Sequence, residues 1–184
     1  VTKAPNVVVA TNFTKVASKN AQSFYVANLH VKSGVKPVFK SNSKYVTVDK
    51  KGKITIAKNF IGVAKITIIA PETNHYLSGK KVITITVNPA VNSISQVTNS
   101  KGKKMVIKWT KDTKVTGYEI KYTTDINFKK CVNRFTRSAS TTSATVSKLA
   151  KNKTYYIQIR TYKTINGKKY YSKWSSIKAV KITK

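Results

Sequence analysis

Few side chains in this 184-residue sequence could carry out acid–base chemistry. The five carboxylates stand singly along the chain: Asp49, Glu72, Asp112, Glu119 and Asp125. A glycoside hydrolase needs two converging carboxylates, and a serine hydrolase needs a nucleophile elbow with a base beside it. Neither pattern occurs, and we expect the three acids of the second half to pair with lysine. The sequence therefore predicts no enzyme and no catalytic residue.

Residues for metal, thiol or nucleotide chemistry are equally isolated. His30 and His75 have no cysteine or paired carboxylate at the spacing of metal ligands. Cys131, the only cysteine, follows two lysines that favour a reactive thiolate, but we expect an inert, half-buried thiol there. The seven glycines are separated from one another and form no phosphate-binding loop. We predict no metal, no cofactor and no internal disulfide.

Lysine is the dominant chemical feature of the chain. Lysine and arginine number 36 against 5 acids, which gives a net charge of +31, and a surface this positive attracts polyanions. The candidate polyanion-binding residues lie on predicted loops: Lys101, Lys103, Lys104, Lys129, Lys130, Lys151, Lys153, Lys168 and Lys169. Because base-specific contacts favour the planar fork of arginine, we expect diffuse attraction and no sequence-specific binding of nucleic acid. The alternative is that these lysines are simply solvated charge, a compositional preference of the lineage.

Aromatic residues of the second half suggest a further binding surface. Trp174, with Tyr156 and Tyr162 exposed beside it, would form a flat platform for the apolar faces of sugar rings. The structural alternative is that Trp174 stacks on Arg160 in a cation–π contact on the outer face of a strand. Both interpretations stay open at this point.

These residues must be positioned by β-strands. Valine, isoleucine and threonine supply 61 residues and leucine only 3, a composition that favours strands over helices. All four prolines lie in the first half, and the two tryptophans and most tyrosines follow residue 100. Pro89 stands between two alternating runs, so we place a domain boundary there, with domains at 1–89 and 90–184.

Apolar and polar residues alternate with the period of strands in both halves. In the first half the apolar positions include 64, 66, 68 and 70, and then 83, 85 and 87. Residues 49–53 and Asn166-Gly167 read as hairpin turns, because Gly52 and Gly167 adopt a positive φ without strain. The predicted fold is all-β: two tandem immunoglobulin-like antiparallel β-sandwiches.

The first half resembles a known family. Over residues 5–89 the sequence is similar to the bacterial immunoglobulin-like domain, group 2. The resemblance rests on three segments: Ser41-Asn42-Ser43-Lys44-Tyr45-Val46-Thr47-Val48-Asp49, Lys51-Gly52-Lys53-Ile54-Thr55 and Gly62-Val63-Ala64-Lys65-Ile66-Thr67-Ile68. The resemblance implies a repeated spacer or adhesin module of bacterial surface and secreted proteins, without catalysis.

The second half resembles the fibronectin type III domain over residues 92–183. Leu149 precedes Tyr155 by six residues, and the resemblance gives Tyr155 a corner role, with a buried ring and a hydroxyl bonded to the upstream backbone. Trp109 on the second strand and the segment 171–175 also match, and Trp109, Tyr155 and Arg160 are taken as structural. Lys151 replaces the usual proline of the turn, and the absence of Arg-Gly-Asp leaves integrin binding by that route unsupported.

The combined prediction is a non-catalytic tandem module of a bacterial surface or secreted protein. It would act as a spacer and adhesion segment whose lysines attract anionic cell-wall or host-surface polymers. Two alternatives are a carbohydrate-binding accessory module of an exported enzyme and specific binding of a host protein. No apolar run approaches the roughly 18 residues of a membrane span, so we expect no membrane insertion and a monomeric segment of a larger protein.

Overall fold

The computed structural model describes residues 2–136 and 138–184. The chain divides into two compact units, Val1–Asn88 and Pro89–Lys184, called unit 1 and unit 2. The secondary structure of the described residues is strands and turns. The predicted fold class, two tandem β-sandwiches of the immunoglobulin-like kind, is confirmed.

Unit 1 contains nine strands in its described residues: β1 (Val8–Val9), β2 (Phe13–Val16), β3 (Gln22–Tyr25), β4 (His30–Val31), β5 (Val38–Ser41), β6 (Val46–Val48), β7 (Lys53–Ile56), β8 (Gly62–Ala70) and β9 (Gly79–Asn88). They form a four-stranded sheet in the order β2-β9-β8-β5, a three-stranded sheet in the order β3-β7-β6, and the short pair β1-β4. The pair β2-β9 is parallel, so this unit departs from the wholly antiparallel sandwich that we expected.

Alternation along β8 and β9 builds the core of unit 1. Residues at every second position of these strands are fully buried: Ala64, Ile66, Ile68, Ala70, Ile83, Ile85 and Val87. Burial of each large side chain stabilises the fold by about 1.5 to 3 kcal/mol. Between β6 and β7, Asp49 Oδ1 accepts the N–H groups of Lys51 at 2.8 Å and Lys53 at 2.9 Å. The Lys53 N–H is the main reason that the pKa of Asp49 lies below its ordinary value.

Unit 2 contains eight strands in its described residues: β10 (Ile94–Ser100), β11 (Lys104–Trp109), β12 (Gly117–Thr123), β13 (Val132–Thr136), β14 (Ser143–Val146), β15 (Thr154–Ile165), β16 (Lys168–Tyr171) and β17 (Lys178–Lys181). One sheet has the order β10-β11-β14. The other has the order β13-β12-β15-β16, and β17 also pairs with β15. The inner faces bury large side chains, among them Met105, Ile107, Tyr118, Ile120, Ile157 and Ile159.

The β15–β16 hairpin has the turn that its sequence predicts. Asn166 and Gly167 have φ angles of 49° and 78°, and Ile165 pairs with Lys168 on either side of them. Two successive positive φ angles suit the right-handed twist of the flanking strands.

Candidate functional site

The outer face of the β13-β12-β15-β16 sheet carries a buried ion pair at its centre. Glu119 lies directly opposite Arg160 on β15 and Phe135 on β13. Arg160 Nε donates to Glu119 Oε2 at 2.6 Å, and Asn133 Nδ2 donates to Oε1 at 3.1 Å. Glu119 is 2% exposed, so a position predicted to face water and pair with lysine is covered and pairs with arginine.

Aromatic rings and cations alternate across this face. The set is called here the cation–aromatic ladder and consists of Phe135, Lys169, Tyr162, Tyr171, Arg160, Trp174, Lys121 and Phe128. Arg160 Cζ lies 3.8 Å from the ring centroid of Tyr171 and 4.4 Å from that of Trp174. Lys121 Nζ lies 4.4 Å from the Trp174 centroid, and Lys169 Nζ lies 4.8 Å from that of Tyr162. Contacts of this kind stabilise a surface by about 0.5 to 2 kcal/mol each, more where water is excluded.

Two serines hold the segment that carries Trp174 against β15. The Ser172 and Ser175 hydroxyls accept the N–H groups of Thr161 at 3.0 Å and Ile159 at 3.1 Å. The backbone N–H groups of the same serines donate back to the carbonyls of Thr161 and Ile159. Residues 172–175 are therefore fixed to the sheet without being a strand, and the ring of Trp174 is placed over Arg160.

The predicted aromatic platform is not present as a set of exposed rings. Tyr162 is only 2% exposed, so its predicted exposure is wrong. It lies on the outer face, but Phe135 and Tyr171 cover its ring, with centroids 6.1 Å away in each case. Trp174 and Tyr156 are half-buried, and the ring of Trp174 is already occupied by two cations.

Most of the candidate polyanion-binding lysines converge at one end of unit 2. The connection from β10 to β11 carries Lys101 and Lys103, and Met105 pairs with Val146 at the end of β14. The connection that follows β14 therefore reaches the same end. There the Leu149 N–H donates to the Lys103 carbonyl at 3.0 Å.

The second sheet brings its lysines to the same end. Thr123 on β12 pairs with Tyr156 near the start of β15, so the connection from β12 to β13 also lies there. The Asn152 N–H donates to the Ile182 carbonyl at 2.7 Å, and the Lys103 N–H donates to the Lys184 carbonyl at 2.9 Å. These bonds attach the β14–β15 and β10–β11 connections to the segment that follows β17.

The lysine-rich end is defined here as the set Lys101, Lys103, Lys104, Lys129, Lys130, Lys148, Lys151 and Lys153. Each of these residues is exposed. Lys103, Lys104 and Lys148 line an open depression of about 590 Å³ together with Ser147. Asp125 is the carboxylate nearest in sequence to Lys129 and Lys130. Its two oxygens accept the backbone N–H groups of Asn127 and Lys129. Three of these lysines therefore line one depression, and the other five are exposed on loops at the same end of the unit.

The remaining two candidate lysines lie elsewhere. Lys168 and Lys169 belong to the β15–β16 hairpin, at the opposite end of the strands. Lys169 also contacts the rings of Phe135 and Tyr162. The structure therefore separates the nine predicted residues into seven at the lysine-rich end and two in the hairpin.

Comparison with known families bears on unit 2. The family model described as "Fibronectin type III domain" matches residues 89–178, and the strands of this region form the two-sheet sandwich described above. Residues 89–178 are a fibronectin type III domain. The fibronectin type III family that the sequence predicted for the second half is confirmed over these residues.

Solved structures resemble the chain at low sequence identity. "Cytokine receptor complex - Crystal form 1A" is 9% identical with a TM-score of 0.53, over 96% of this chain and 95% of that one, a likeness of fold alone. "Crystal structure of chicken CNTN1 FN1-FN3 domains" is 15% identical with a TM-score of 0.46, over 98% of this chain and 67% of that one. No curated protein matches the chain.

In the fibronectin type III domain, Tyr155 lies at the start of β15. Its hydroxyl accepts the backbone N–H of Ala150 at 3.0 Å, and its ring is half-buried, 6.4 Å from that of Tyr122. Trp109 on β11 is 3% exposed, with its ring centroid 5.4 Å from that of Tyr118. Both residues pack the interior of the sandwich.

Tyr118 is a further buried structural residue of the fibronectin type III domain. Its buried hydroxyl accepts the N–H of Asp112 at 2.7 Å and donates to the Ala139 carbonyl at 2.9 Å. Burial is the main reason that the pKa of Tyr118 lies above its ordinary value. Two sequence signals pointed to this residue: its place in the apolar alternation of β12, and the pair Gly117-Tyr118 at the start of that strand, which resembles the fibronectin type III family.

The single thiol of the chain lies at the surface. Cys131 is exposed, so the half-buried thiol that we predicted is wrong; the sulfur lies 3.5 Å from Asn133 Oδ1. Over residues 2–136 and 138–184, no three histidine, cysteine or acidic side chains come together as a metal site. Within the same residues no helix is long and apolar enough to span a bilayer.

Proposed function

We propose that this chain is a non-catalytic spacer and adhesion segment of a bacterial surface or secreted protein, and that the lysine-rich end binds an anionic polymer of the cell wall or of a host surface. The observation that supports this proposal is the convergence of seven predicted lysines from three separate loops. A polymer with repeated phosphate, sulfate or carboxylate groups can contact several of these flexible ammonium groups at once. Each such contact releases a condensed counterion.

The first unit is assigned to the bacterial immunoglobulin-like group 2 family in the same proposal. The segments on which the resemblance rests, 41–49, 51–55 and 62–68, contain β6, β7 and the first part of β8. Gly52 has a φ of 77° in the turn between β6 and β7.

Polymer binding is tested with two variants that have the same reduction in charge. The first replaces Lys101, Lys104, Lys130 and Lys151 of the lysine-rich end with glutamine. The control replaces four exposed lysines outside that end: Lys111, Lys114, Lys168 and Lys173. Affinity for heparin and for poly(glycerol phosphate) is measured by titration calorimetry at several NaCl concentrations.

We expect the affinity of the parent protein to fall steeply with salt. The plot of log affinity against log salt should become shallower by up to about three in the first variant, at roughly 0.7 for each lysine that no longer neutralises an anionic group of the polymer. The control should change much less. An equal reduction of affinity in the two variants would show that net charge alone attracts the polymer, and a salt-independent affinity would contradict the electrostatic mechanism.

A further inference from the structure

Unit 1 has an apolar groove at one side of its sandwich. Strands β5 and β6 each form the edge of their sheet there. The groove has a volume of about 460 Å³ and is lined by Lys36, Pro37, Val38, Phe39, Val48, Asp49 and Lys50. This volume lies within the range of ligand-binding clefts.

One residue of β5 turns its backbone groups toward the groove. The Asn42 N–H donates to the Lys65 carbonyl on β8, which fixes the alternation of the β5–β8 ladder. In an antiparallel ladder every second residue bonds the neighbouring strand. Lys40 and Val38 therefore bond β8, and the N–H and C=O of Phe39 point to the open edge. An extended chain laid against this edge can bond both groups.

The side chains at this edge favour an apolar residue flanked by acids. Val38 is 49% exposed, and it lines the groove together with Val48, whereas Lys36 and Lys50 provide positive charge at the rim. Asp49 is the carboxylate of the groove, and one of its oxygens already accepts two backbone N–H groups of the β6–β7 turn. The groove thus has two ammonium groups against one carboxylate, a net positive charge that favours an acidic ligand.

A second copy of the chain is a poor partner for the same edge. Lysine and proline on an edge strand oppose pairing between identical strands, and Lys36, Pro37 and Lys40 stand in or beside β5. Two molecules of net charge +31 also repel each other. The same lysines attract an acidic strand.

We propose that this groove binds an extended acidic peptide as an added strand on β5. The peptide backbone bonds the N–H and C=O of Phe39, one bulky apolar side chain fills the groove between Val38 and Val48, and acidic residues on either side face Lys36 and Lys50. This site goes beyond the polymer-binding function, because it lies in the other unit and requires an apolar group as well as charge.

The probe is an acetylated and amidated heptapeptide, Glu-Asp-Val-Phe-Val-Asp-Glu, titrated into the full 184-residue chain labelled with ¹⁵N. We expect amide chemical shifts to change at residues 36, 38–40 and 46–50, with the Phe39 amide protected from hydrogen exchange; Pro37 has no amide proton. Val38→Asp should weaken binding about tenfold or more, because it places a carboxylate against an acidic ligand and removes apolar surface from the groove. A peptide with serine in place of phenylalanine should bind at least about tenfold more weakly.

The matched control is Val16→Asp. Val16 is 47% exposed and lies on β2, the other edge of the same sheet, so this variant carries the same change in charge and size away from the groove. It should bind the heptapeptide like the parent chain. The four-lysine variant of the lysine-rich end should also bind it normally, which separates failure of this proposal from failure of polymer binding.

Three results would overturn the proposal. The first is equal weakening by Val38→Asp and Val16→Asp, or shift changes spread over exposed lysines, since either would show charge attraction only. The second is shift changes at residues 36–40 that depend on protein concentration without peptide, which would assign the edge to a second copy. The third is laurate binding at these residues while the heptapeptide leaves them unchanged, which would make the groove a site for small amphiphiles.

Discussion

Two tyrosine hydroxyls in the fibronectin type III domain bond backbone groups in different surroundings. The Tyr118 hydroxyl is buried and has partners on two loops, the Asp112 N–H and the Ala139 carbonyl. The Tyr155 hydroxyl accepts the Ala150 N–H in a partly exposed corner. A buried polar group that loses its partner costs more free energy than one that water can reach.

We therefore expect Tyr118→Phe to lower the free energy of unfolding by about 2 to 3 kcal/mol and Tyr155→Phe by about 1 kcal/mol. Urea denaturation followed by tryptophan fluorescence measures both values. Tyr156→Phe, on the outer face of β15, serves as the control and should stay within about 0.5 kcal/mol of the parent. Equal effects of the two test substitutions would contradict the assigned difference in burial.

The raised pKa of Tyr118 adds a dependence on pH. A phenol whose pKa is higher in the folded state than in the unfolded state stabilises the fold less once the pH exceeds the unfolded value, which is about 10. The stability advantage of the parent over Tyr118→Phe should thus shrink as pH rises from about 9 to about 11. Every other titratable group is the same in the two proteins, so their effects cancel in this comparison. A stability difference between the two proteins that stays constant over this pH range would contradict the raised pKa of Tyr118.

At the scale of elements, strand β12 depends on a close approach at its first residue. A Cβ atom added to Gly117 would lie 2.0 Å from the Thr136 carbonyl oxygen and 2.8 Å from the Tyr162 hydroxyl. That hydroxyl donates to the same carbonyl at 2.6 Å. Glycine is required here by contact with β13 and β15, and not by its φ angle.

We expect Gly117→Ala to destabilise the domain by about 3 kcal/mol or more, because backbone must move to admit the methyl group. Gly167→Ala is the matched control: its added Cβ meets nothing within 4 Å and only its φ of 78° opposes the change. That control should cost about 1 kcal/mol. Thermal unfolding by circular dichroism measures both, and a larger effect at Gly167 would contradict the packing argument.

At the scale of the whole molecule, repulsion between lysines opposes folding. Salt bridges in the described residues are limited to Lys3 with Glu72 and Arg160 with Glu119, against a net charge of +31. Salt screens exposed charges beyond about one Debye length. Screening should therefore remove more repulsion than attraction.

We expect the melting temperature to rise by several degrees as NaCl increases from about 20 to about 500 mM. Differential scanning calorimetry of the full chain measures this shift. The two four-lysine variants act as controls and should show smaller rises, because they begin with less repulsion. A melting temperature that falls with salt would show that attractive ion pairs dominate.

The local structure of this protein could be predicted from residues that are close together in the chain. Alternation at period two placed the buried faces of β8, β9 and β11, and glycine at residues 52 and 167 placed two hairpin turns. The motifs around Trp109 and Tyr155 indicated the fibronectin type III domain. These features depend on neighbours in the chain, which is why composition and spacing were sufficient.

Contacts between residues that are far apart in the chain could not be predicted in this way, because they depend on how the strands assemble. Glu119 and Arg160 are 41 positions apart, and Tyr162 follows the polar alternation of β15 yet is covered by rings from β13 and β16. The lysine-rich end exists because three loops, separated by whole strands, arrive at one end of a two-sheet fold. The parallel pairing of β2 with β9 was not predicted, for the same reason. Strand order depends on the apolar area that all the strands bury together, and a single stretch of sequence does not specify that area.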